Sequence, residues 1–303
     1  MSKMPELEDK LKNGLLDDFL RERGRRHKYY RTYNKIPRLF MNYYVDKKLY
    51  LSDGFNWNDV IDADYFYNAS DKIKYYGLCF SYSINESVAM WMLYGGLYDE
   101  GAMLNLTNKY VNSICEYCNT IKIGNFTENG FDTVDELHKE NGDFVIYLKD
   151  VLYHKKNKNN TSLVMHNNIS KNGIDNSIIA EANPVLKDNS WSYENEVRLI
   201  IEIRKTELTQ NCHYAQVDLS EFEKEYKKAN NRAISKANNA MTCSPKLVFD
   251  ESTELYIKKG KYRKKVRKSK LSGLINWSLT EEPNKNPSIS KELKDKTVII
   301  SIE

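Results

Sequence analysis

The chain is predicted to be an α+β protein. Three observations predict it. Short strand-like runs, such as Gly77-Leu78-Cys79-Phe80-Ser81 and the β-branched-rich Val197 to Ile203, recur along the sequence. Segments with apolar residues three and four apart lie between them at irregular intervals, not in a βαβ rhythm. The 303 residues, 41% apolar and 12% aromatic, can bury a sizeable core.

Each element has a local reason. Leu7, Leu11, Leu15, Leu16, Phe19 and Leu20 set a helix over residues 5–23, which runs into Arg21, Arg23, Arg25 and Arg26 and ends at Gly24. His27 to Thr32 is aromatic-rich and strand-like. Pro37 opens a short helix from Arg38 to Val45, because proline suits a first helical turn. Lys48 to Ser52 reads as a strand closed by the turn signal Asp53-Gly54. A strand over Gly77 to Ser81 leads to a helix from Asn85 to Tyr94, capped by Ser83 or Asn85 and closed at Gly95-Gly96. Ala102 to Leu106 and Val145 to Tyr153 are strand-like, with helical and irregular chain over 107–142. Residues 155–175, rich in Asn and Lys, read as an exposed loop. A strand runs from Tyr193 to Ile203, and a charged helix covers 219–240. Leu247 to Ile257 and Thr297 to Ile302 complete the strands, and 281–289 resembles a linker.

These elements group into an N-terminal helix and basic cluster over 1–26, a catalytic-like core over 27–215, and an accessory basic region over 216–303. Net charge is only +4, so its distribution matters more than its sum. Five cysteines (Cys79, Cys115, Cys118, Cys212 and Cys243) form no disulfide framework and point to reduced thiols in a cytoplasmic protein. No apolar run approaches the roughly 18 residues of a membrane span, so no membrane partner is expected.

The segment richest in chemistry is Glu194-Asn195-Glu196-Val197-Arg198-Leu199-Ile200-Ile201-Glu202-Ile203-Arg204. On a strand, side chains alternate. Val197, Leu199, Ile201 and Ile203 then face the core, and Glu194, Glu196, Arg198, Ile200, Glu202 and Arg204 face away. Two carboxylates roughly 7 Å apart on one face raise each other's pKa and suit an oxocarbenium-like transition state at a glycosidic carbon. The bland alternative is a solvated face with Arg198 and Arg204 as counter-charges.

The ordered segments Phe55-Asn56-Trp57-Asn58-Asp59, Cys79-Phe80-Ser81, Met90-Trp91-x-x-Tyr94 and Trp191-x-Tyr193-Glu194-x-Glu196-x-Arg198 resemble the bacterial domain-of-unknown-function family 2971. The match departs from that family at Trp57-Asn58, Leu93 and Glu100. A second set resembles ADP-ribosyltransferases of the Arg-Ser-Glu type. It consists of Tyr30-Arg31 on a first strand, Phe80-Ser81-Tyr82-Ser83 on a second and Glu194-Asn195-Glu196 on a third. That resemblance implies split antiparallel sheets around a cleft, with helical additions, and NAD as substrate without a metal. It implies that Arg31, with Tyr30, binds the pyrophosphate. Ser81 or Ser83 orients the carboxylate, Glu196 stabilises the oxocarbenium ion and Glu194 activates the nucleophile. Lys187 to Tyr193, with Trp191 at its tip, becomes a target-reading loop.

Residues 258–270 hold the densest charge run. Lys258, Lys259, Arg263, Lys264, Lys265 and Arg267 surround Tyr262, a pattern that suits RNA or single-stranded nucleic acid. The N-terminal arginines are expected to extend this patch. Cys115-x-x-Cys118 is only half a zinc site. The expected function is therefore an NAD-dependent ADP-ribosyltransferase, in the manner of a toxin or phage-defence effector with a neutralising antitoxin, modifying RNA or protein. The alternative is a non-catalytic nucleic-acid-binding or antitoxin-like partner. A metal-dependent nuclease ranks last, because the sequence shows no further Asp, Lys or His beside the two glutamates.

Overall fold

The computed structural model describes residues 15–55, 57, 59–68, 70–95, 101–156, 161–165, 168–169, 183–236, 238–247, 252–272, 289–294 and 297–302. The first turns of the N-terminal helix, residues 281–288 of the expected linker, Gly96 and Glu100 lie outside the described residues, and a strand begins at the linker's last residue, Ile289.

The described chain begins with α1 (Leu16–Gly24) and β1 (Tyr29–Lys35). A helical segment follows, α-helical over Ile36–Leu39 and π-helical over Phe40–Val45. Next come β2 (Lys48–Ser52), α2 (Val60–Tyr67), β3 (Ile73–Ser81), α3 (Val88–Tyr94), β4 (Gly101–Thr107) and α4 (Asn108–Tyr117). Strands β5 (Thr120–Thr127), β6 (Gly130–His138), β7 (Phe144–Asp150), β8 (Leu152–Lys156), β9 (Thr161–Met165), β10 (Asn168–Ile169), β11 (Leu186–Asp188), β12 (Glu196–Arg204) and β13 (Tyr214–Asp218) precede α5 (Leu219–Asn230). The chain closes with β14 (Ala240–Cys243), β15 (Glu254–Lys259), β16 (Tyr262–Val266), β17 (Ile289–Lys294) and β18 (Thr297–Ile302). The fold is thus mixed α+β, with mostly antiparallel pairing and several helices.

Several sequence expectations shift, each for a local reason. The cap of α3 is Ser87, whose hydroxyl accepts from Met90 N, so the helix starts later than Asn85. The expected helical and irregular stretch over 107–142 contains the β5–β6 hairpin, turned at Glu128-Asn129 and followed by Gly130, whose φ of 112° glycine adopts readily. The expected loop over 155–175 instead carries β8, β9 and β10. Helix α5 is capped by Asp218 and stops at Asn231, whose φ of 54° is left-handed, so the charged helix is shorter than 219–240.

The chain divides into two units. The first comprises 1–28, 49–82 and 108–234. Its central strand, β12, runs antiparallel between β3 and β7. Strand β13 pairs with β5, which pairs with β6. Strands β8 to β11 form a separate small sheet in which β11 runs parallel to β8. Leu16, Phe19 and Leu20 of α1 pack with Phe66, Tyr147, Leu152, Leu186 and Ile200 into the core of this unit. The second unit comprises 29–48, 83–107 and 235–303. There β4 lies between β1 and β14, and β16, β15, β18 and β17 form a four-stranded sheet in that order. Tyr33, Met90, Trp91 and Met103 form a buried cluster of this unit, with Tyr94 against it.

Candidate functional site

The start of β12 differs from the expected strand at Tyr193. Residues Asn189–Glu194 form a 3-10 helix, capped by Asp188, and Asn195 follows with a left-handed φ of 47°. Asparagine tolerates that conformation better than most residues. Glu194 therefore lies on a turn and Glu196 on the strand. The turn is fixed by Tyr82 N donating to Asn195 O at 2.9 Å, Glu196 N donating to the Tyr153 hydroxyl at 3.0 Å, and Val151 N donating to Glu196 O at 3.1 Å.

Both carboxylates turn onto one ammonium. Lys187 Nζ lies 2.6 Å from Glu194 Oε2, 2.9 Å from Glu196 Oε2 and 3.3 Å from Asp62 Oδ2. Arg198 Nε donates to Glu196 Oε1 at 2.7 Å, and its Nη2 donates to both oxygens of Asp62 at 2.7 Å. Arg198 Nη1 donates to Pro184 O at 3.0 Å. The guanidinium also lies 4.7 Å from the centre of the Trp57 ring. Arg198 is fully buried, and the other four ions are at most 4% exposed.

This corrects the expectation of a solvent-facing row. β12 is flanked on both sides by strands and covered on both faces, so Glu196 and Arg198 are interior groups. Interior charges survive only when paired and hydrogen-bonded. Three carboxylates against two cations leave one net negative charge when all are ionised. Burial pushes the Glu196 carboxyl up, but Arg198 and Lys187 outweigh it and hold it well below the usual carboxylate range. Burial pulls Lys187 down, yet Glu196, Asp62 and Glu194 reverse that and keep it protonated. Asp62 is raised, by burial first and by the charge of Glu196 despite Arg198. Burial, reinforced by Glu196, pushes the Cys79 thiol and the Tyr153 hydroxyl far up.

The structure brings some of the expected residues together. Ser81 is buried in β3 as the direct cross-strand partner of Glu196. Trp191 packs on the core with its ring centre 5.2 Å from Lys187 Nζ, and it lies 6.1 Å from the Tyr193 ring, which is 38% exposed. Trp191 therefore packs as part of the core instead of projecting as a loop tip. Tyr30, Arg31 and Ser83 belong to the second unit. Tyr30 has no exposed surface, so its side chain is a core group and cannot meet a ligand from solvent. Ser83 lies beyond the end of β3. Arg31 is fixed by Nε to Asn105 Oδ1 at 3.2 Å and Nη2 to Ile84 O at 2.9 Å.

Sequence reasoning missed Asp62 and placed Lys187 in the target-reading loop, not among the buried ions. Each is a charge inside an apolar stretch, Val60-Ile61-Asp62-Ala63 and Val185-Leu186-Lys187. A charge in such a setting needs a buried partner, and that is the signal that could have found them. They also supply the Asp and Lys whose absence ranked the nuclease last. Among the described residues, however, no group of three or more His, Cys, Asp or Glu is arranged to hold a metal. Burial raises the thiols of Cys115, Cys118 and Cys243 to about 12, as unreactive interior groups.

The first unit contains a second buried ion cluster. Asp53 Oδ2 lies 3.0 Å from both Lys74 Nζ and His213 Nδ1. The His213 ring stacks on Phe55 at 4.5 Å.

The basic run forms the β15–β16 hairpin. Lys258, Arg263, Lys264, Lys265 and Arg267 are exposed, and Lys259 is half-buried. Three of the four N-terminal arginines are paired, Arg21 with Asp17, Arg23 with Asp150 and Arg26 with Glu22, and Arg25 is exposed.

Residues 90–199 match the family described as "Protein of unknown function (DUF2971)". The matched stretch opens at Met90-Trp91 and closes at Arg198-Leu199, so it contains Lys187, Glu194, Glu196 and Arg198. No curated protein and no solved structure matches the chain.

Proposed function

We propose that the chain is an NAD-dependent ADP-ribosyltransferase with Glu196 as the carboxylate beside the nicotinamide ribose. One observation carries the reading: Ser81 and Glu196, the serine and glutamate of the Arg-Ser-Glu set, are direct partners on adjacent antiparallel strands. Such partners hold their Cβ atoms about 5 Å apart on one face, within reach for a serine to orient a carboxylate.

The electrostatics favour the same chemistry. The ribose C1′–nicotinamide bond breaks, and nicotinamide leaves with the bonding pair. Positive charge then develops on the ribosyl group until the acceptor's lone pair closes the new bond. A carboxylate kept ionised among buried groups stabilises that charge more than one in water does. Glu194 is the group assigned to take the acceptor's proton. Lys187 positions both carboxylates. In the second unit, Arg31 Nη1 is buried and has no hydrogen-bond partner among the described residues. A guanidinium prong of that kind suits a phosphate oxygen.

The test is nicotinamide release from NAD by the purified chain, with cellular RNA and protein present as acceptors. Glu196→Gln is expected to reduce release at least about 100-fold. Absence of release by the wild-type chain, or release that survives Glu196→Gln, overturns the reading.

A second reading draws on the mutual pairing of Asp62, Lys187, Glu194, Glu196 and Arg198. Under it the cluster is structural and the chain is a non-catalytic nucleic-acid-binding or antitoxin-like partner. Glu196→Gln then changes stability alone.

A further inference from the structure

The β15–β16 register sorts the basic run into two faces. Leu255 opposes Val266, Tyr256 opposes Lys265, Ile257 opposes Lys264 and Lys258 opposes Arg263. Side chains alternate along each strand, so Leu255, Ile257 and Val266 share the buried face. Lys264 belongs to that side by register and reaches over the Tyr44 ring at 5.3 Å. Tyr256, Lys258, Arg263 and Lys265 share the opposite face, and Arg267 continues it by parity. There the Arg263 guanidinium lies 4.1 Å from the centre of the Tyr256 ring. Glu254 accepts from the Tyr256 hydroxyl at 2.9 Å and also pairs with Lys265. Four cations against this one carboxylate leave a net charge of +3 on the face. The next strand, β18, adds the uncharged Thr297, Ile299 and Ser301 in register, and the exposed Glu292 lies one strand further.

We infer that this outer face of the hairpin binds single-stranded nucleic acid, with Tyr256 and its stacked Arg263 as the base platform and Lys258, Lys265 and Arg267 on the phosphates. The inference does not depend on the transferase reading. Three features favour a nucleic acid strand over other polyanions. The cations repeat every second residue along an extended edge, roughly 7 Å apart, which an extended backbone can follow. An aromatic ring and a planar guanidinium sit among them, and such planes stack on unpaired bases. The face is one side of a four-stranded sheet with no helix to enter a groove, and the unpaired strand is the form whose bases are open to it. The structure also replaces Tyr262, the aromatic residue singled out by sequence, which falls by parity on the other face.

The test is fluorescence anisotropy of labelled 12-nucleotide oligo-U and oligo-dT with the full chain. Three or four phosphate contacts predict about 20- to 50-fold weaker binding at 200 mM than at 50 mM salt. The triple variant Lys258→Ala, Arg263→Ala, Lys265→Ala is expected to reduce the log–log salt slope by about 2. Tyr256→Ala is expected to lose about tenfold in affinity with an unchanged slope, and Tyr256→Phe to retain it. Circular dichroism and melting temperature verify that each variant is folded. The inference is overturned if neither oligonucleotide binds at 50 mM salt, or if the triple variant binds like the wild type. It is also overturned if polyglutamate or phosphatidylserine vesicles compete as well as the oligonucleotides while Tyr256→Ala has no effect. That last pattern identifies an acidic protein or a membrane surface as the partner.

Discussion

At the scale of single residues, the buried ions decide most of what can be tested. Glu196 is the shared partner of Lys187 and Arg198. Neutralising it as Glu196→Gln removes the carboxylate that both interior cations share and breaks a buried hydrogen-bonded pair, a loss of about 3–5 kcal/mol. The expected readout is a lower urea midpoint, whatever happens to activity. The pH dependence has a fixed sign. Glu196 and Asp17 are held below their ordinary values against the opposing effect of burial, Glu196 by Arg198 and Lys187, Asp17 by Lys149 and Arg21. Their contribution is complete above the ordinary carboxylate range near about 4 and is lost as pH falls through the lowered folded values. Lys187 is raised, so its contribution is intact below the ordinary lysine range and lost as pH climbs through its folded value. Asp62 is raised and therefore works against Glu196 on acidification. Urea midpoints are expected to be flat near neutrality and to fall on the acid side. The acid limb should be shallower in Glu196→Gln; an unchanged limb would show that Glu196 is not the group titrating.

At the scale of elements, close approach outweighs intrinsic propensity. Gly24 ends α1 as the sequence predicts, but its reason is contact with β7. A Cβ at this position would lie 2.8 Å from Lys149 N and 2.9 Å from Leu148 C, both rigid backbone atoms. Gly24→Ala is therefore expected to lower the melting temperature, although alanine favours helix by about 1 kcal/mol. A rise would show that α1 can shift away from β7. The same rule explains β12. Its alternating pattern reads as a half-exposed strand, but β3, β7 and the layer carrying Asp62 and Lys187 enclose it. The polar members of the alternation become a buried ion network instead of a wetted row.

At the scale of the whole molecule, each unit is assembled from three separated stretches of chain. Removing either end is expected to expose core from the remainder. A fragment of residues 27–215 lacks α1, whose Leu16, Phe19 and Leu20 are core groups, and ends inside β13. It is expected to unfold without a cooperative transition in thermal circular dichroism, whereas a sharp transition would mark the fragment as self-sufficient. No helix among the described residues is long and apolar enough to cross a membrane. The family match covers 90–199 and so draws on both units, including α3 of the second and the carboxylate turn of the first.

The sequence by itself determined the α+β class, about half of the described strands, the Thr297–Ile302 strand to the residue, and the order of the motif residues. These follow from local periodicity, turn chemistry and proline or glycine punctuation, which act over a few residues. It also located Glu194 and Glu196 as the chemically unusual pair. Only the tertiary structure decided that they are buried, that Asp62 and Lys187 join them, that Tyr30 is a core group, and that Tyr256 rather than Tyr262 shares a face with Lys258, Arg263 and Lys265. Asp62 and Lys187 stand 125 positions apart in the chain and meet through one ion pair. The physical reason is that burial and charge pairing are set by which strands become neighbours, and alternation along one strand cannot tell whether its polar face meets water or another layer.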